Sequence, residues 1–355
     1  NMSLLPRALV TNCSNFCVSA FRVFLIGFSR NLIKSRISFT STKISAGSTA
    51  GSYQVTGKFT IKNITKDKNK YINDINNIQH RGPDFTTIQN FKYKDYDIIL
   101  GFHRLAIIDV EHGDQPFIYR NKKRQIYLLC NGEIYNYKNI IKKYNLEYTK
   151  SDCKVILELY LKLHILETLK ELDGEFAFVL IDIYNDELNI YCARDRFGIR
   201  PLYYFTDDKG YYFSSELKGL PFFGKGNQIE PRHVNYFYLK DKSFCKSKYY
   251  TVGESLNFEK GIKDVLYKSV EDRLISERPI GALLSGGLDS SLICGIASKI
   301  LKQKGERLNT FSIGIEENAP DILYSRKVAK HINSIHHEII IPVEVWLENL
   351  KNVIF

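Results

Sequence analysis

The amino-acid sequence predicts two domains, the first of the α+β class and the second of the α/β class. In the first domain, residues 59–235, short β-rich runs such as "EFAFVLID" and "LNIYCA" are separated by Gly, Asn and Asp. In the second, residues 251–355, strand-like and helix-like runs alternate regularly. Such alternation favours a parallel sheet that is covered by helices on both faces. The chain of 355 residues is long enough for two such domains.

The first 58 residues form a basic segment without Asp or Glu. Its Ser, Thr, Lys and Arg content is also typical of an organellar transit peptide, but we interpret the segment as a disordered leader. Nine of the 50 Lys and Arg precede Asp67, so the remaining residues balance 41 basic against 39 acidic side chains. The net charge of +11 therefore does not indicate a nucleic-acid partner.

The seven cysteines are scattered along the chain and form no close set of four that would bind zinc. This usage favours a reduced compartment, and we expect a cytoplasmic protein. The apolar run "FCVSAFRVFLIGF" contains Arg22 and is shorter than the roughly 18 residues that a membrane-spanning helix needs. We therefore expect no membrane partner.

In the first domain, the runs "RQIYLLC", "RPLYYF" and "YYFSSE" add further strands. Between the strands, "CKVILELYLKL" has helical spacing, which puts the apolar side chains of Val155, Ile156, Leu159 and Leu163 on one side. Residues 236–250 are polar and basic. We interpret them as the linker between the two domains.

The second domain is predicted to begin with a helix at about residues 256–277. There follow strand "PIGALLS", helix 289–302, strand "LNTFSIGI", helix 323–333, strand "HHEIIIP" and a final helix. A doubly wound sheet usually has about five or six strands, and the sequence up to Phe355 predicts only three in this domain. The sequence therefore predicts an incomplete doubly wound sheet.

The stretch "ALLSGGLDSS" places Ser-Gly-Gly between a strand and a helix. Glycines let backbone N–H groups approach a ligand, and a helix N-terminus favours anions, so this loop predicts a phosphate cradle. It lacks the lysine of a P-loop. Hydroxyls of Ser285 and Ser290 could donate hydrogen bonds, and Asp289 could hold a Mg²⁺ that bridges phosphate oxygens. The alternative is an ordinary turn in which Asp289 or Ser290 caps the helix.

This loop resembles the pyrophosphatase loop of enzymes that adenylate a substrate with ATP. Seven further motifs occur in order: "HRGPD" (80–84), "HRLAIID" (103–109), "NGEIYN" (131–136), "SDCKVI" (151–156), "LDGEFAF" (172–178), "ARDRFGIRPLYY" (193–204) and "SSELKGL" (214–220). With the loop, they resemble glutamine-dependent asparagine synthetase over roughly residues 59–355. The resemblance implies an N-terminal Ntn-hydrolase αββα sandwich that takes ammonia from glutamine. It also implies an adenine nucleotide α-hydrolase-like domain in which ATP, with Mg²⁺, adenylates aspartate, and it allows a homodimer.

By this resemblance, the side chain of Asn131 and the backbone N–H of Gly132 form the oxyanion hole that amide hydrolysis needs. Arg104 matches the position that binds the glutamine carboxylate, for which a planar bidentate donor is suited. The implied glutamine pocket consists of Arg104, Ile107, Glu133 and Asp152, and the two acids match positions that bind the ammonium group. The alternatives are surface ion pairs for Arg104 and Asp152, and a hairpin turn at Asn-Gly.

In the second domain, Leu283 and Ile313 match positions that line the adenine and ribose pocket, although ordinary core strands would also place apolar residues there. We interpret Asp321 as an acid at a helix N-terminus. The implied ATP site consists of Leu283, Ser285, Gly286, Gly287, Asp289, Ser290 and Ile313, with Asp289 as the Mg²⁺ ligand.

The nucleophile is not identified by the resemblance. The family uses a cysteine at the mature N-terminus, and its spacing from "HRGPD" leads to residues 48–55, where Ala50 and Gly51 are the nearest imitation of Cys-Gly. Cys13 is the only substitute, and it would require cleavage after Asn12. The family's later "SGEGADE"-type loop and lysine do not occur before Phe355.

Two alternatives to an active synthetase stay open. One is a β-lactam-synthetase-like ATP-dependent ligase, which adenylates a carboxylate and needs no glutaminase cysteine. The other is a catalytically defective fragment that binds glutamine or a partner without turnover.

Overall fold

The computed structural model describes residues 45–46, 56–61, 68–208, 210–221, 225–239, 243–251 and 261–354. The chain divides into two compact units, one of Gly51–Phe258 and one of Asn1–Ala50 with Glu259–Phe355. Most of the predicted leader lies outside the described residues, but its described parts are strands: Ser45–Ala46 pairs with the strand at Ile280, and Thr56–Ile61 begins within the predicted leader. Within the part that is described, no helix has both the length and the apolar character needed to cross a membrane.

In its described residues, the larger unit contains three α-helices and two antiparallel sheets of six strands each. After β1 (Ser45–Ala46), which belongs to the smaller unit, its elements are β2 (Thr56–Ile61), α1 (Lys68–Asn76), β3 (Phe85–Tyr93), β4 (Tyr96–Arg104), β5 (Phe117–Arg120), β6 (Arg124–Ile134), α2 (Tyr137–Tyr144), α3 (Lys154–Glu171), β7 (Gly174–Tyr184), β8 (Glu187–Arg194), β9 (Tyr203–Asp207), β10 (Gly210–Ser214), β11 (Asn227–Gln228), β12 (His233–Tyr238) and β13 (Ser243–Lys248). Short 3-10 turns occur at Gln79–Arg81 and Leu217–Gly219.

The two sheets of this unit pack face to face. Their strand orders are β11-β9-β10-β2-β4-β3 and β13-β12-β8-β7-β6-β5. Between them, the ring of Phe237 on β12 lies 5.3 Å from that of Tyr211 and 5.0 Å from that of Phe213, both on β10. Aromatic side chains on the inward faces of both sheets therefore form the core between the sheets.

Helices cover the outer faces of both sheets. Helix α1 packs against the first sheet, where Tyr71 and Ile75 join Ile99 and Tyr212 in one buried cluster. Helix α3 packs against the second sheet, since the hydroxyl of Tyr160 donates to Asp182 of β7 at 2.7 Å. The layers are thus helix, sheet, sheet and helix, and the predicted αββα sandwich is confirmed.

Helix α3 follows the predicted apolar pattern. Val155, Ile156 and Leu159 are fully buried, and Leu163 is half-buried. Residues 236–250, which we expected to be a linker, instead carry the end of β12 and all of β13, and the two strands pair with Tyr236 opposite Cys245. The polar segment is therefore a hairpin at the edge of the second sheet.

The smaller unit contains a parallel sheet with the strand order β1-β14-β15-β16. Its other elements are α4 (Ile262–Asp272), β14 (Ile280–Leu283), α5 (Leu288–Gln303), β15 (Asn309–Gly314), α6 (Pro320–Ile332), β16 (Ile335–Ile340) and α7 (Val343–Ile354). Apolar side chains of α4, α5 and α6 pack in one buried cluster with Leu284 and Leu308. The predicted alternation of strands and helices and the parallel sheet are confirmed.

Candidate functional site

The carboxyl end of β6 carries Asn131, Gly132 and Glu133 in a row, paired with β7. A Cβ atom on Gly132 would lie 2.6 Å from the Cα of Phe176, so only glycine fits beside β7. Asn131 is fully buried, and its Nδ2 donates to the Ser215 hydroxyl at 3.5 Å. Its Oδ1 is buried without a hydrogen-bond partner. A buried amide and a glycine backbone are thus held at one strand end, as an oxyanion hole requires.

Asp152 lies against the same strand end. Its carboxylate is 1% exposed, and its Oδ2 accepts the N–H of Ile134 at 2.8 Å. Its Oδ1 is buried without a partner. Burial, helped by the charge of Glu133, raises the pKa of Asp152 to about 7, although nearby backbone N–H groups act in the opposite direction. Asp152 is therefore a buried acid with one oxygen open to a cationic ligand.

Arg104 ends β4 and is buried, but it forms an ion pair with Asp114, whose side chain is 46% exposed. Its Nη1 donates to the carbonyl of Val110 at 3.1 Å and to the Asp114 carboxylate at 2.8 Å. Its Nη2 donates to the carbonyl of Asp109, and its Nε is buried without a partner. Gly113 lets the loop close on the guanidinium, because a Cβ there would lie 2.5 Å from Nη2. The loop of residues 109–114 thus orients the guanidinium.

Gln115 links this loop to β6, the strand that carries Asn131 and Gly132. Its Nε2 donates to the carbonyl of Cys130 at 3.1 Å, and its Oε1 accepts the N–H of Cys130 at 2.7 Å. Gln115 is 2% exposed, so both bonds are shielded from water. The loop that holds Arg104 therefore ends one residue from Asn131. Ile107 lies buried in the same connection.

The motif "HRGPD" supports the end of β4. A Cβ on Gly82 would lie 2.6 Å from the backbone nitrogen of Arg104, so this close approach needs glycine. The N–H of Asp84 donates to the carbonyl of Arg104 at 2.9 Å. Arg81 pairs with Glu216 of the "SSELKGL" motif at 2.5 Å. The motifs "HRGPD" and "SSELKGL", which are far apart in sequence, thus contact each other through Arg81 and Glu216.

The motif "ARDRFGIRPLYY" forms a buried polar loop beside Glu133. Arg200 donates to Glu175 at 3.2 Å, and its guanidinium lies 4.0 Å from the carboxylate of Glu133. The carboxylate of Asp195 fixes this loop by accepting the backbone N–H groups of Phe176, Phe197, Ile199 and Arg200. Glu133 therefore has a buried cation next to it.

The first residue of β2 lies near the same strand end. Thr56, the first residue of β2, pairs with Ser214, which precedes the Ser215 that contacts Asn131. The predicted nucleophile positions 48–55 and Cys13 lie outside the described residues. Cys153 lies nearby, but its thiol is buried and donates to the carbonyl of Gly132 at 3.2 Å. Burial raises its pKa well above the ordinary value, which disfavours the thiolate.

In the smaller unit, the Ser285–Ser290 loop joins β14 to α5. Gly286 has a φ of 78°, and a Cβ there would lie 2.6 Å from the backbone nitrogen of Ser325 on α6. The hydroxyls of Ser285 and Ser290 lie 3.1 Å apart. Gly287 is the N-cap of α5, and no side chain makes a capping hydrogen bond in this described helix. The predicted alternative, a cap by Asp289 or Ser290, is therefore wrong.

Leu283 and Ile313 lie half-buried near the carboxyl ends of the neighbouring strands β14 and β15. Asp289 is exposed in the first turn of α5, and Asp321 lies in the first turn of α6. Among the residues that the structure describes, no group of three or more His, Cys, Asp or Glu could hold a metal ion. The structure thus brings the predicted ATP-site residues to one edge of the sheet.

Gln115 was not predicted to be a site residue, and Ser215 was identified only as part of the motif "SSELKGL". Ser215 and Asn131 are 84 residues apart, and Gln115 and Cys130 are 15 apart. Neither pairing follows from a local pattern, because each depends on how the sheets and the loop pack.

Two family profiles match the chain. The glutamine amidotransferase domain profile matches residues 55–258, and the asparagine synthase profile matches residues 261–355. Three curated relatives are similar over most of this chain. A probable asparagine synthetase (glutamine-hydrolyzing) of Acanthamoeba polyphaga mimivirus is 38% identical over 315 residues, which are 80% of this chain and 56% of that protein. The asparagine synthetases (glutamine-hydrolyzing) of Gallus gallus and Homo sapiens are 38% and 37% identical, each over 78% of this chain and 54% of the relative. The chain spans about half the length of the curated relatives it matches.

Proposed function

The chain belongs to the glutamine-dependent asparagine synthetase family, and on this premise we propose that it serves the glutamine-hydrolysing asparagine synthetase reaction. In that reaction, ATP adenylates the side-chain carboxylate of aspartate and releases pyrophosphate. Ammonia from glutamine then displaces AMP and gives asparagine and glutamate. Residues 59–235 are assigned to the glutaminase chemistry, and residues 251–355 to the adenylation.

The observation that carries the proposal is the buried carboxylate of Asp152 next to the strand end of Asn131 and Gly132. An unpaired buried carboxylate is costly unless a cation satisfies it. The oxygen without a partner therefore supports a site for an amino-acid ammonium group. The glycine N–H and the amide donor lie two and three residues away along β6 from the Ile134 N–H that Asp152 binds.

We assign the three ends of glutamine to these groups. Asp152 and Glu133 hold the ammonium, and Arg104 holds the carboxylate through a charge-assisted bidentate contact. The side-chain amide oxygen then lies between Asn131 and Gly132, where negative charge develops during hydrolysis. Donors that are already fixed there cost no reorganisation when the oxyanion forms.

The nucleophile stays unassigned, because residues 48–55, to which the family's spacing leads, contain no cysteine. In the family's mechanism a thiolate attacks the amide carbon, and the free α-amino group of the same residue accepts its proton. The described residues supply the binding and the oxyanion donors for this step. Cys153 does not serve, because its buried thiol stays protonated.

The fit of the smaller unit to ATP rests on its loop. Gly286 approaches α6 too closely for any side chain, and the uncapped start of α5 presents N–H groups to a phosphate. We assign the pyrophosphate to Ser285, Gly286, Gly287 and Ser290, and the adenosine to Leu283 and Ile313. A single exposed carboxylate, Asp289, suits Mg²⁺, which is usually bound by one or two carboxylates together with substrate phosphates. The ion would neutralise phosphate charge.

A homodimer belongs to the proposal through the resemblance alone, and a cytoplasmic location through the cysteine usage alone. Light scattering of the purified chain and fractionation of cells that express it would test them.

An isotope-transfer experiment tests the proposed function. The purified chain is incubated with aspartate, Mg·ATP and either glutamine labelled with ¹⁵N in its side-chain amide or ¹⁵N-ammonia. We expect labelled asparagine, AMP and pyrophosphate with both nitrogen sources. Arg104→Ala should abolish synthesis from glutamine and leave synthesis from ammonia. Absence of labelled asparagine from both sources would refute the proposal.

Pyrophosphate release with other carboxylates and calorimetry with glutamine separate the two alternatives. A β-lactam-synthetase-like ligase would neither bind glutamine nor release glutamate, yet it would release pyrophosphate with a carboxylate other than aspartate. A defective fragment would bind glutamine in a calorimeter and form no product.

A further inference from the structure

We propose that His336 is a positioning residue that holds the Ser285–Ser290 loop in its ligand-binding shape through the hydroxyl groups of Ser312 and Ser325. The inference rests on the proposed function in one respect, the assignment of this loop to the phosphates of ATP. His336 belongs to the strand predicted from "HHEIIIP", and the resemblance gave this histidine no role.

His336 lies on β16 among hydroxyl groups of β15 and α6. Its Nδ1 is 2.9 Å from Oγ1 of Thr310, and its Nε2 is 3.4 Å from Oγ of Ser312 and 3.5 Å from Oγ of Ser325. The three hydroxyl residues are at most 3% exposed. The ring therefore joins a strand and a helix through a buried polar cluster.

Each hydroxyl has only one proton to donate, which limits the direction of these hydrogen bonds. Ser312 donates to the carbonyl of Leu284 at 2.6 Å, and Ser325 donates to a carbonyl in the preceding turn of α6 at 2.9 Å. We therefore assign the Nε2–H tautomer to His336, with this N–H shared between the two serine oxygens at 3.4 and 3.5 Å. In this assignment Thr310 donates to Nδ1 and accepts from Ser334, which lies 2.7 Å away.

This chain of bonds ends at the loop. Leu284 directly precedes Ser285, and the Ser312 hydroxyl holds its carbonyl. Two residues further, Gly286 rests against the backbone nitrogen of Ser325, where a Cβ would come within 2.6 Å. The first half of the loop is thus supported by the same two serines that accept from His336.

The neighbouring charges leave the ring neutral. Glu338 lies 3.6 Å from Nε2, but its two oxygens each accept from Arg326 of α6 at 2.7 Å. Next along the strand, His337 stacks on Phe311 with ring centroids 4.7 Å apart. Burial is the main cause that lowers the pKa of His336, with His337 and Arg326 acting in the same direction and Glu338 against them. The ring is therefore neutral at neutral pH, which leaves Nδ1 able to accept from Thr310.

Two substitutions separate the roles of the two ring nitrogens. Glutamine in His336→Gln can place an N–H donor near the position of Nε2, whereas asparagine in His336→Asn reaches only to that of Nδ1. Ser312→Ala removes the link to Leu284. Ser298→Ala is the matched control, because Ser298 makes the same kind of bond, to the carbonyl of Ile332 at 2.8 Å, about 15 Å along α5 from the loop.

The measurements are the Kd of Mg·ATP by calorimetry and the hydrogen exchange of peptides that cover residues 282–292. We expect His336→Asn and Ser312→Ala to weaken ATP binding about tenfold, the usual cost of losing a buried hydrogen bond at a site, and to speed exchange in the loop. His336→Gln should stay within about threefold of wild type on the same scale. Ser298→Ala should match wild type.

ATP binding and loop exchange that are equal in all variants would overturn the inference. So would exchange that rises equally throughout β14, β15 and β16, because His336 would then be needed only for folding. Failure of the wild-type chain to bind ATP would instead count against the proposed function. In that case the exchange of the loop in His336→Asn and His336→Gln still decides whether the histidine positions it.

Discussion

Protonation of Asp152 should switch off glutamine binding. The carboxylate is fully buried, and burial together with Glu133 raises its pKa to about 7. An ammonium group binds a carboxylate far better than a neutral carboxylic acid. We therefore expect the affinity for glutamine to fall as the pH drops below about 7.

The size of this effect follows from the pKa. With a pKa of about 7, the ionised fraction is about 90% at pH 8 and about 10% at pH 6. Because affinity scales with the competent fraction, the Kd of glutamine should rise about tenfold from pH 8 to pH 6.

The same shift predicts a stability change. The pKa of Asp152 in the folded state lies above the ordinary aspartate value of 3.8, so the folded protein binds this proton more tightly than the unfolded chain does. The associated stability is fully present below about pH 4 and is lost as the pH rises to about 7. At about 1.4 kcal/mol for each pH unit, the loss by pH 8 is on the order of 4 kcal/mol. Asp152→Asn, which keeps an acceptor for Ile134, should resist urea better than wild type at pH 8, and the difference should shrink towards pH 5.

Calorimetry at pH 6, 7 and 8 and constant ionic strength, combined with urea unfolding, tests both effects. Asp321→Asn is the control, because it alters an exposed carboxylate in the other unit and should keep the wild-type profile. A wild-type Kd that does not change between pH 6 and pH 8 would refute the reasoning. So would a pH dependence of glutamine binding that survives in Asp152→Asn.

Three further predictions concern single residues of the two sites. Arg104→Ala should weaken glutamine binding by at least about tenfold in calorimetry, as expected for the loss of a charge-assisted pair; equal binding by the variant would mean that Arg104 does not hold the carboxylate. Gly286→Ala should lower the free energy of unfolding by about 1–3 kcal/mol in a urea titration, because its φ of 78° and its contact with α6 exclude a side chain. In the same titration Gly287→Ala should be neutral, because the nearest atom to an added Cβ there, Oγ of Ser285, is 3.5 Å away. Asp289→Asn should abolish Mg·ATP binding while changing the free energy of unfolding by less than about 0.5 kcal/mol; retained binding would make Asp289 a plain surface residue.

The elements with a buried face could be predicted from the sequence. Strand–helix alternation gave the parallel sheet, and helical spacing gave α3, because burial imposes a period on the apolar residues. Strand β13 escaped prediction for the opposite reason. It lies at the edge of its sheet, and nearly all its residues are exposed, so no apolar alternation marks it. Its lysines and serines therefore suggested a linker.

The candidate site was predictable where its residues are neighbours in sequence. Asn131, Gly132 and Glu133 lie on one strand end, and the motif alone grouped them. The two hydrogen bonds between the Gln115 side chain and the backbone of Cys130 could not be predicted. A glutamine side chain that takes the place of a neighbouring strand's backbone has no local sequence pattern. The pKa of Asp152 likewise depends on burial, which only the packed sandwich reveals.

The most direct test of the central claim is a crystal structure of the chain with L-glutamine. The account predicts glutamine at the carboxyl end of β6, with its ammonium on Asp152, its carboxylate on Arg104, and its amide oxygen between the side chain of Asn131 and the N–H of Gly132. Glutamine bound elsewhere, or a β6 end that stays empty at saturating glutamine, would contradict the account.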